Sequence, residues 1–222
     1  MTQYGIIVVI KILKEGDLMS NFDKIPTLEE AKKMLKEAEK LCPTPWVQHS
    51  INVAEAAKLI AEQVPGMDSE KAYILGLLHD IGRRAGRFGM RHAVDGYNYL
   101  VSKGYEDAAR ICITHVSFEY NNKKVVVGKW DDFKEAKAFA LNYLTKIEYT
   151  DYDNLIKLCD SLSLPEGFCL IEKRLVDMAL RGGVDDYSIP RWKSTFEIKE
   201  YFESKMGKSI YDILPGVVEN TF

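Results

Sequence analysis

The sequence predicts an all-α fold with at most a minor β-hairpin or short strand, and two observations support this prediction. From Pro26 onward, apolar residues recur at helical spacing in almost every segment. Side chains that commonly cap helices precede several of these segments. With 222 residues, 46% of them hydrophobic, the chain is long enough for one well-buried domain. We therefore expect a single bundle of helices.

The first two predicted helices are separated by two prolines. Thr27, with Glu30 three residues later, forms a capping box ahead of the helix LEEAKKMLKEAEKLC. Pro43 ends this helix. Pro45 then stands at the first position of the next helix, where its missing N–H and fixed φ are best tolerated.

The third predicted helix is the most apolar of the chain and should lie in the middle of the fold. Pro65 and Gly66 break the chain before it, and Asp68 is placed to cap it. The run ILGLL leaves it little polar surface. It ends at the adjacent His79 and Asp80.

The rest of the chain continues the helical pattern with one interruption. Residues 121–128, NNKKVVVG, break the pattern and are compatible with a β-hairpin arm or an ordered loop. Further helices are predicted at about residues 91–102, 105–117, 131–147, 151–161, 165–181 and 190–206.

The N-terminal segment differs from the rest, and we expect residues 1–22 to be an extension outside the core, with residues 23–222 forming one helical domain. Residues 5–10 are apolar but too short to cross a bilayer, which takes about 20 apolar residues. No small-residue cleavage site follows them, as a signal peptide would require. Met19, followed by SNFDKIPTLEEA, resembles a natural start.

Charge and cysteine content argue against several functional classes. Thirty basic and thirty-three acidic residues give a formal charge of -3, without a basic tail. A nucleic acid polymer or a membrane is therefore not expected as a partner. The cysteines lack CxxC spacing and lie in apolar helical patterns, which predicts reduced core thiols in a cytoplasmic protein. They are Cys42, Cys112, Cys159 and Cys169.

Candidate metal ligands concentrate in residues 74–92. Two of the chain's four histidines, His79 and His92, lie there, and neutral imidazole is a common ligand of divalent metals. A half-buried histidine is more often hydrogen-bonded to a backbone carbonyl than bound to a metal. His79 differs because Asp80 follows it at the end of the most apolar helix, where an unpaired carboxylate would be costly. Metal coordination would remove that cost.

The order of these residues resembles the HD-domain metal-dependent phosphohydrolases over about residues 43–180. That family places a histidine on one helix, a His-Asp doublet on a later one and a terminal aspartate further on. The matching residues are His49 in PWVQHSINVAEAA, His79 and Asp80 in LLHDIG, and Asp160 in DYDNLIKLCDSL. The resemblance implies an HD-domain helical bundle in which these four residues hold a divalent metal ion.

Two further histidines resemble the additional ligands of the family's two-metal members. His92 in HAVDGYNYL and His115 in ICITHVSFE follow the doublet in the expected order. The resemblance implies a second ion held by these histidines, with Asp80 bridging. Histidine and carboxylate ligands suit Fe, Mn, Co, Ni or Zn. Two such ions would lower the pKa of a bridging water and polarise a phosphoryl oxygen, so hydroxide attack on phosphorus is the expected chemistry.

Arginines follow the doublet closely. Arg83 occupies the position at which many family members have a lysine, and the resemblance implies that it stabilises phosphoryl charge. Arg84 and Arg87 are further candidates for substrate binding. The competing interpretation is a solvated basic turn that stabilises the end of a helix.

Three residues nearer the C-terminus carry two interpretations each. Asp153 lies two helical turns before Asp160 and could either support the metal ligands or cap its helix. Lys173 and Arg174 could reach a phosphate or occupy an exposed helix face.

The sequence thus predicts a metal-dependent phosphohydrolase that cleaves a phosphate ester or anhydride of a small phosphorylated substrate, expected to be a nucleotide. The reaction would be that of a phosphomonoesterase, a phosphodiesterase or a pyrophosphohydrolase, with Asp80 and Arg83 at the reacting centre. The chain lacks the Gly-Tyr-Pro and His-His signatures of HD-GYP phosphodiesterases. A di-iron HD-type oxygenase and a non-catalytic nucleotide-binding HD sensor are the alternatives. Substrate, metal identity, the number of ions and oligomeric state stay open.

Overall fold

Helices form most of the molecule. The computed structural model of the protein describes residues 24–86, 88–130 and 132–222. The α-helices in this part are α1 Leu28–Leu41, α2 Trp46–Ala61, α3 Ser69–Leu78, α4 His92–Val101, α5 Glu106–Thr114, α6 Lys134–Leu144, α7 Asp151–Asp160, α8 Ile171–Gly182, α9 Ser188–Met206 and α10 Val217–Thr221. The all-α prediction is confirmed. The predicted extension, residues 1–22, lies outside the described residues.

Two short antiparallel strand pairs accompany the helices. One joins β1 Ser117–Tyr120 to β2 Lys123–Val126, and the other joins β3 Ser163–Leu164 to β4 Gly167–Phe168. None of the described helices combines the length and the apolar composition that crossing a bilayer requires.

The starts of α1 and α3 follow from local capping. The backbone N–H of Glu30 donates to Thr27 Oγ1 at 3.3 Å, and the backbone N–H of Thr27 donates to Glu30 Oε2 at 2.8 Å. Asp68 Oδ1 accepts from the backbone N–H of Lys71 at 3.1 Å. Both predicted caps are present, because each depends only on residues three positions apart.

Close backbone packing brings the helix ends together. A Cβ added at Gly76 of α3 would lie 2.5 Å from Ala54 Cα of α2, so only glycine permits this approach. The backbone of Gly82 likewise packs against the carbonyl of His92 at the start of α4. These contacts hold α2, the end of α3 and α4 in one cluster.

The main core lies among α2, α3 and α7, with a smaller apolar cluster where α4, α5 and α6 meet the first hairpin. The four cysteines are buried and free, as the sequence predicts. Fully buried side chains of the main core include Ile60, Leu75, Leu78, Leu155 and Ile156.

Residues 121–128 belong to a hairpin. Asn121 and Asn122 form its two-residue turn with φ values of 51° and 58°. Asparagine tolerates this left-handed conformation, and such turns match the twist of paired strands. Because β1 begins at Ser117, α5 ends at Thr114, earlier than the predicted boundary of 117.

The predicted helix at 165–181 is wrong in its first part. β3 and β4 pair there, and α8 begins only at Ile171. Pro165 lies between the paired strands, and Gly167 has a φ of +148° that suits glycine. The proline therefore marks a turn and not the start of a helix.

Candidate metal centre

The six predicted ligands converge from helices that are distant in sequence. Five of them are buried, and Asp160 is partly exposed. His49 lies in the first turn of α2, His79 and Asp80 follow α3, His92 begins α4, His115 follows α5, and Asp160 ends α7. Because each side chain projects from a helix end, their positions depend on how the helices pack.

Asp80 lies at the centre of this cluster. Its Oδ1 is 3.0 Å from His92 Nε2 and 3.5 Å from His115 Nε2, and its Oδ2 is 3.8 Å from His79 Nε2. The Nε of Arg83 donates to Oδ2. Burial acts to raise the pKa of Asp80, but the charge of Arg83 beside it holds that pKa well below its usual value. The carboxyl is therefore an ionised ligand candidate.

Asp160 forms a second contact group at the edge of the cluster. Its Oδ1 is 3.0 Å from His49 Nε2 and 3.2 Å from Arg174 Nη2. Burial acts to raise the pKa of Asp160, but the contacts with His49 and Arg174 hold it well below its usual value. Like Asp80, it is ionised and has a guanidinium beside it.

Backbone carbonyls fix the tautomer of three histidines. A carbonyl oxygen can only accept, so each Nδ1 carries the proton and each Nε2 of a neutral ring keeps its lone pair. The pairs are His79 Nδ1 with Gly76 O at 2.7 Å, His92 Nδ1 with Gly89 O at 2.6 Å, and His115 Nδ1 with Ile111 O at 2.9 Å. The lone pairs consequently face Asp80.

Burial keeps two of these rings neutral. It lowers the pKa of His79 to about 3, against the opposing charge of Asp80. It also lowers the pKa of His92, and the charge of Arg83 lowers it further. Neutral imidazole is the form that binds a metal.

The donor set fits a divalent metal. His92 Nε2 and His115 Nε2 lie 3.4 Å apart, and two lone pairs at that distance repel each other unless a cation lies between them. His79 Nε2 and Asp80 Oδ1 are buried without a hydrogen bond of normal geometry, although His92 Nε2 is 3.0 Å from that oxygen. Orphaned buried polar atoms of this kind call for a partner.

Asp80 is shared by two compact groups of potential ligands. In each group the donor atoms lie within 4.8 Å of one another, and Asp160 belongs to neither. The groups are His49, His79 and Asp80, and Asp80, His92 and His115. The arrangement could hold one ion in each group, with Asp80 common to both.

The predicted substrate arginines differ in position. Arg83 lines the cavity beside the cluster. The guanidinium of Arg84 lies over the ring of Tyr99, with Cζ 4.1 Å from the ring centroid, and Arg84 is not among the cavity residues. Arg87 lies outside the described residues. Of the two predicted arginines that the structure describes, Arg83 is thus the one placed for contact with a bound molecule.

A cavity of about 730 Å³ opens over the cluster. Its apolar walls include Trp46, Met90 and Phe118. Its basic side chains are Arg83, Lys157, Arg174, Arg181 and Arg191. The volume is that of a small-molecule site. Asp80, Asp160, Glu166 and Asp177 also line it, so an anionic ligand would bind through the guanidinium N–H groups that these carboxylates leave available.

Sequence reasoning missed most of this cationic lining. Lys157 could have been found, because it lies three residues before Asp160 on the same helix. Of the two interpretations of Arg174, contact with the cavity is the one observed. Arg191 carried no local signal, since α9 reaches the cavity only through the packing of the C-terminal helices.

Asp153 caps its helix and takes part in a buried network. The backbone N–H of Thr150 donates to Asp153 Oδ2 at 2.7 Å, and Arg110 and Thr114 bind the same carboxylate. No hydrogen bond joins it to a candidate ligand among the described residues. The capping interpretation is therefore the one observed.

Comparison with known proteins agrees with the site. The HD domain family matches residues 46–164, more than half of the chain, and this stretch contains all six candidate ligands. No curated protein and no solved structure matches the chain. Members of this family are mostly metal-dependent hydrolases. The ordered ligands, the helical fold and this match together identify the chain as a member of the HD domain family.

Proposed function

We propose that this HD-domain protein is a metal-dependent phosphohydrolase acting on a phosphate ester or anhydride, with a nucleotide as the expected substrate. The observation that supports this most is that Asp80, shared by two groups of histidines, lies at a cavity lined with cationic side chains. A phosphorylated small molecule matches both the volume and the charge of that cavity.

The proposed ligands fall into two sets around Asp80. His49, His79, Asp80 and Asp160 would hold one divalent ion, and His92 and His115 would hold a second together with Asp80. Such ions supply a lowered water pKa and polarisation of a phosphoryl oxygen. The Nδ1–carbonyl hydrogen bonds of His79, His92 and His115 hold these rings in the orientation that presents Nε2.

Arg83 has two tasks in this proposal. Its Nε binds Asp80 Oδ2 and thereby orients the carboxylate. About a third of its side chain is exposed at the cavity, so other guanidinium N–H groups can donate to phosphoryl oxygens. Charge developing on those oxygens in the transition state would strengthen these hydrogen bonds.

The apolar walls assist by excluding water. Trp46 and Phe118 are both buried and line the cavity. In an environment poor in water, the attraction between guanidinium groups and phosphate oxygens is stronger than at an open surface.

Elemental analysis of the purified chain, followed by a phosphate-release screen over nucleotides, tests the proposal. We expect up to two transition-metal ions per chain and metal-dependent phosphate release from at least one nucleotide. Oxygen uptake with inert phosphate substrates would favour the oxygenase alternative. Stabilisation by a nucleotide without turnover would favour the sensor.

A further inference from the structure

Most of the cationic side chains in the cavity already have carboxylate partners. Arg83 binds Asp80, Arg174 Nη2 lies 3.2 Å from Asp160 Oδ1, and Arg181 Nη2 lies 2.7 Å from an oxygen of Asp177. These three guanidinium groups are thereby oriented and partly neutralised.

Arg191 is different. No carboxylate among the described residues lies within 4.0 Å of its guanidinium, and its one side-chain hydrogen bond joins Nη2 to Met178 Sδ at 3.1 Å. A thioether is a weak acceptor. Most donors of this group are therefore available to a ligand.

Arg191 belongs to a face of α9 that lines the cavity. The residues of this face recur at intervals of three and four, so they project in the same direction. They are Arg191, Ser194, Thr195 and Ile198. Ser194 lies three residues after Arg191 on this face, so its hydroxyl could donate to the same ligand.

The surroundings of Arg191 favour an anion. Burial lowers its pKa, the charge of Asp160 acts in the opposite direction, and nearby Arg174 lowers it further. The guanidinium has thus given up hydration without a carboxylate in direct contact, although the charges of Asp160 and Asp185 act on it from further away. Bound phosphate oxygens would replace the lost water and accept charge-assisted hydrogen bonds.

We infer that Arg191, with the Ser194 hydroxyl, forms a second anion subsite, so that the preferred substrate carries a phosphate group besides the one at the metal centre. This inference rests on the proposed phosphohydrolase function. Both residues lie outside the stretch 46–164 that matches the HD domain family. The subsite would therefore affect which substrate binds without changing the six candidate metal ligands, which lie within that stretch.

Calorimetric titration of the metal-loaded full-length chain with inorganic phosphate tests the subsite. The wild type should bind two phosphates per chain, one at the metal centre and one at Arg191. Arg191→Met should weaken the binding of the phosphate at Arg191 by about 10- to 100-fold, because a hydrogen-bonded charge is lost. Lys193→Met removes an exposed charge from the same helix and should leave both events unchanged.

Two further variants separate the possible outcomes. His115→Ala should lose the phosphate at the metal centre and keep the one at Arg191. If wild type and His115→Ala each bind one phosphate and Arg191→Met binds none, the subsite is supported and the proposed metal-centre function fails. If Arg191→Met binds phosphate as the wild type does, the subsite is refuted. Should Arg191→Met have a lowered melting temperature, Arg191→Gln provides the same comparison with a polar side chain.

Discussion

Asp80 and Asp153 are both buried aspartates, but their carboxylates differ in how many hydrogen bonds they accept. Both oxygens of Asp153 accept hydrogen bonds, from Arg110, Thr114 and Thr150. Within the part of the chain that the structure describes, Asp80 has one hydrogen-bond donor, Arg83 on Oδ2, while Oδ1 has none of normal geometry.

The difference between the two aspartates distinguishes a structural carboxylate from the proposed metal ligand. A buried carboxylate whose lone pairs are all used is held by its own network, and it needs nothing from outside the chain. A buried carboxylate with an unused oxygen, facing the Nε2 atoms of His92 and His115, needs a cation. Burial alone does not distinguish Asp80 from Asp153, but the number of hydrogen-bond donors to each carboxylate does.

The largest effect is expected for Asp80→Asn. Phosphate release should fall by at least about 10⁴-fold, because loss of the shared ligand removes several kcal/mol of transition-state stabilisation. Metal content, measured by elemental analysis, should fall as well. Wild-type metal content in this variant would contradict the shared-ligand assignment.

Asp153→Asn makes the same chemical change in the other environment. It should lower the free energy of unfolding by about 3–4 kcal/mol, because Arg110 loses its buried partner. Urea denaturation measures this change, and elemental analysis should find normal metal content in the folded protein. A stable Asp153→Asn protein that lacks metal would overturn the contrast between the two aspartates.

The third prediction compares how much a bound metal ion stabilises the wild type and the two aspartate variants. Manganese at about one hundred times its dissociation constant should raise the free energy of unfolding by about 2.7 kcal/mol. We expect this increase in the wild type and in Asp153→Asn, and none in Asp80→Asn. Thermal melts with and without a chelator measure it, and an equal response in all three proteins would argue against the site.

Thr114→Val should have the smallest effect. Its Oγ1 donates to Asp153 at 2.7 Å, so the variant should lose about 1–2 kcal/mol of stability. Thr145→Val at an exposed position is the matched control, with a change within about 0.5 kcal/mol. Since Thr114 precedes His115, unchanged metal content would show that the Asp153 network and the ligand cluster are separable. Metal loss would show that they are coupled.

Local signals made much of the fold predictable. The caps at Thr27 and Asp68 depend on residues three positions apart, and helical periodicity depends on neighbours within two turns. Prediction failed at residues 165–170, because Pro165 was assigned to the start of a helix and a proline can equally mark a turn. The pairing of β3 with β4 decided between them, and that pairing forms on folding.

Short-range signals were sufficient to predict the helical class and the identity and order of the histidine and aspartate ligand candidates, because capping, periodicity and a motif are properties of short segments. The buried network of Asp153 and the positions of Arg174 and Arg191 at the cavity, in contrast, follow from the packing of the folded chain. Those contacts join segments far apart in the chain. Their geometry depends on how α7, α8 and α9 pack together. No short segment of the sequence indicates that packing.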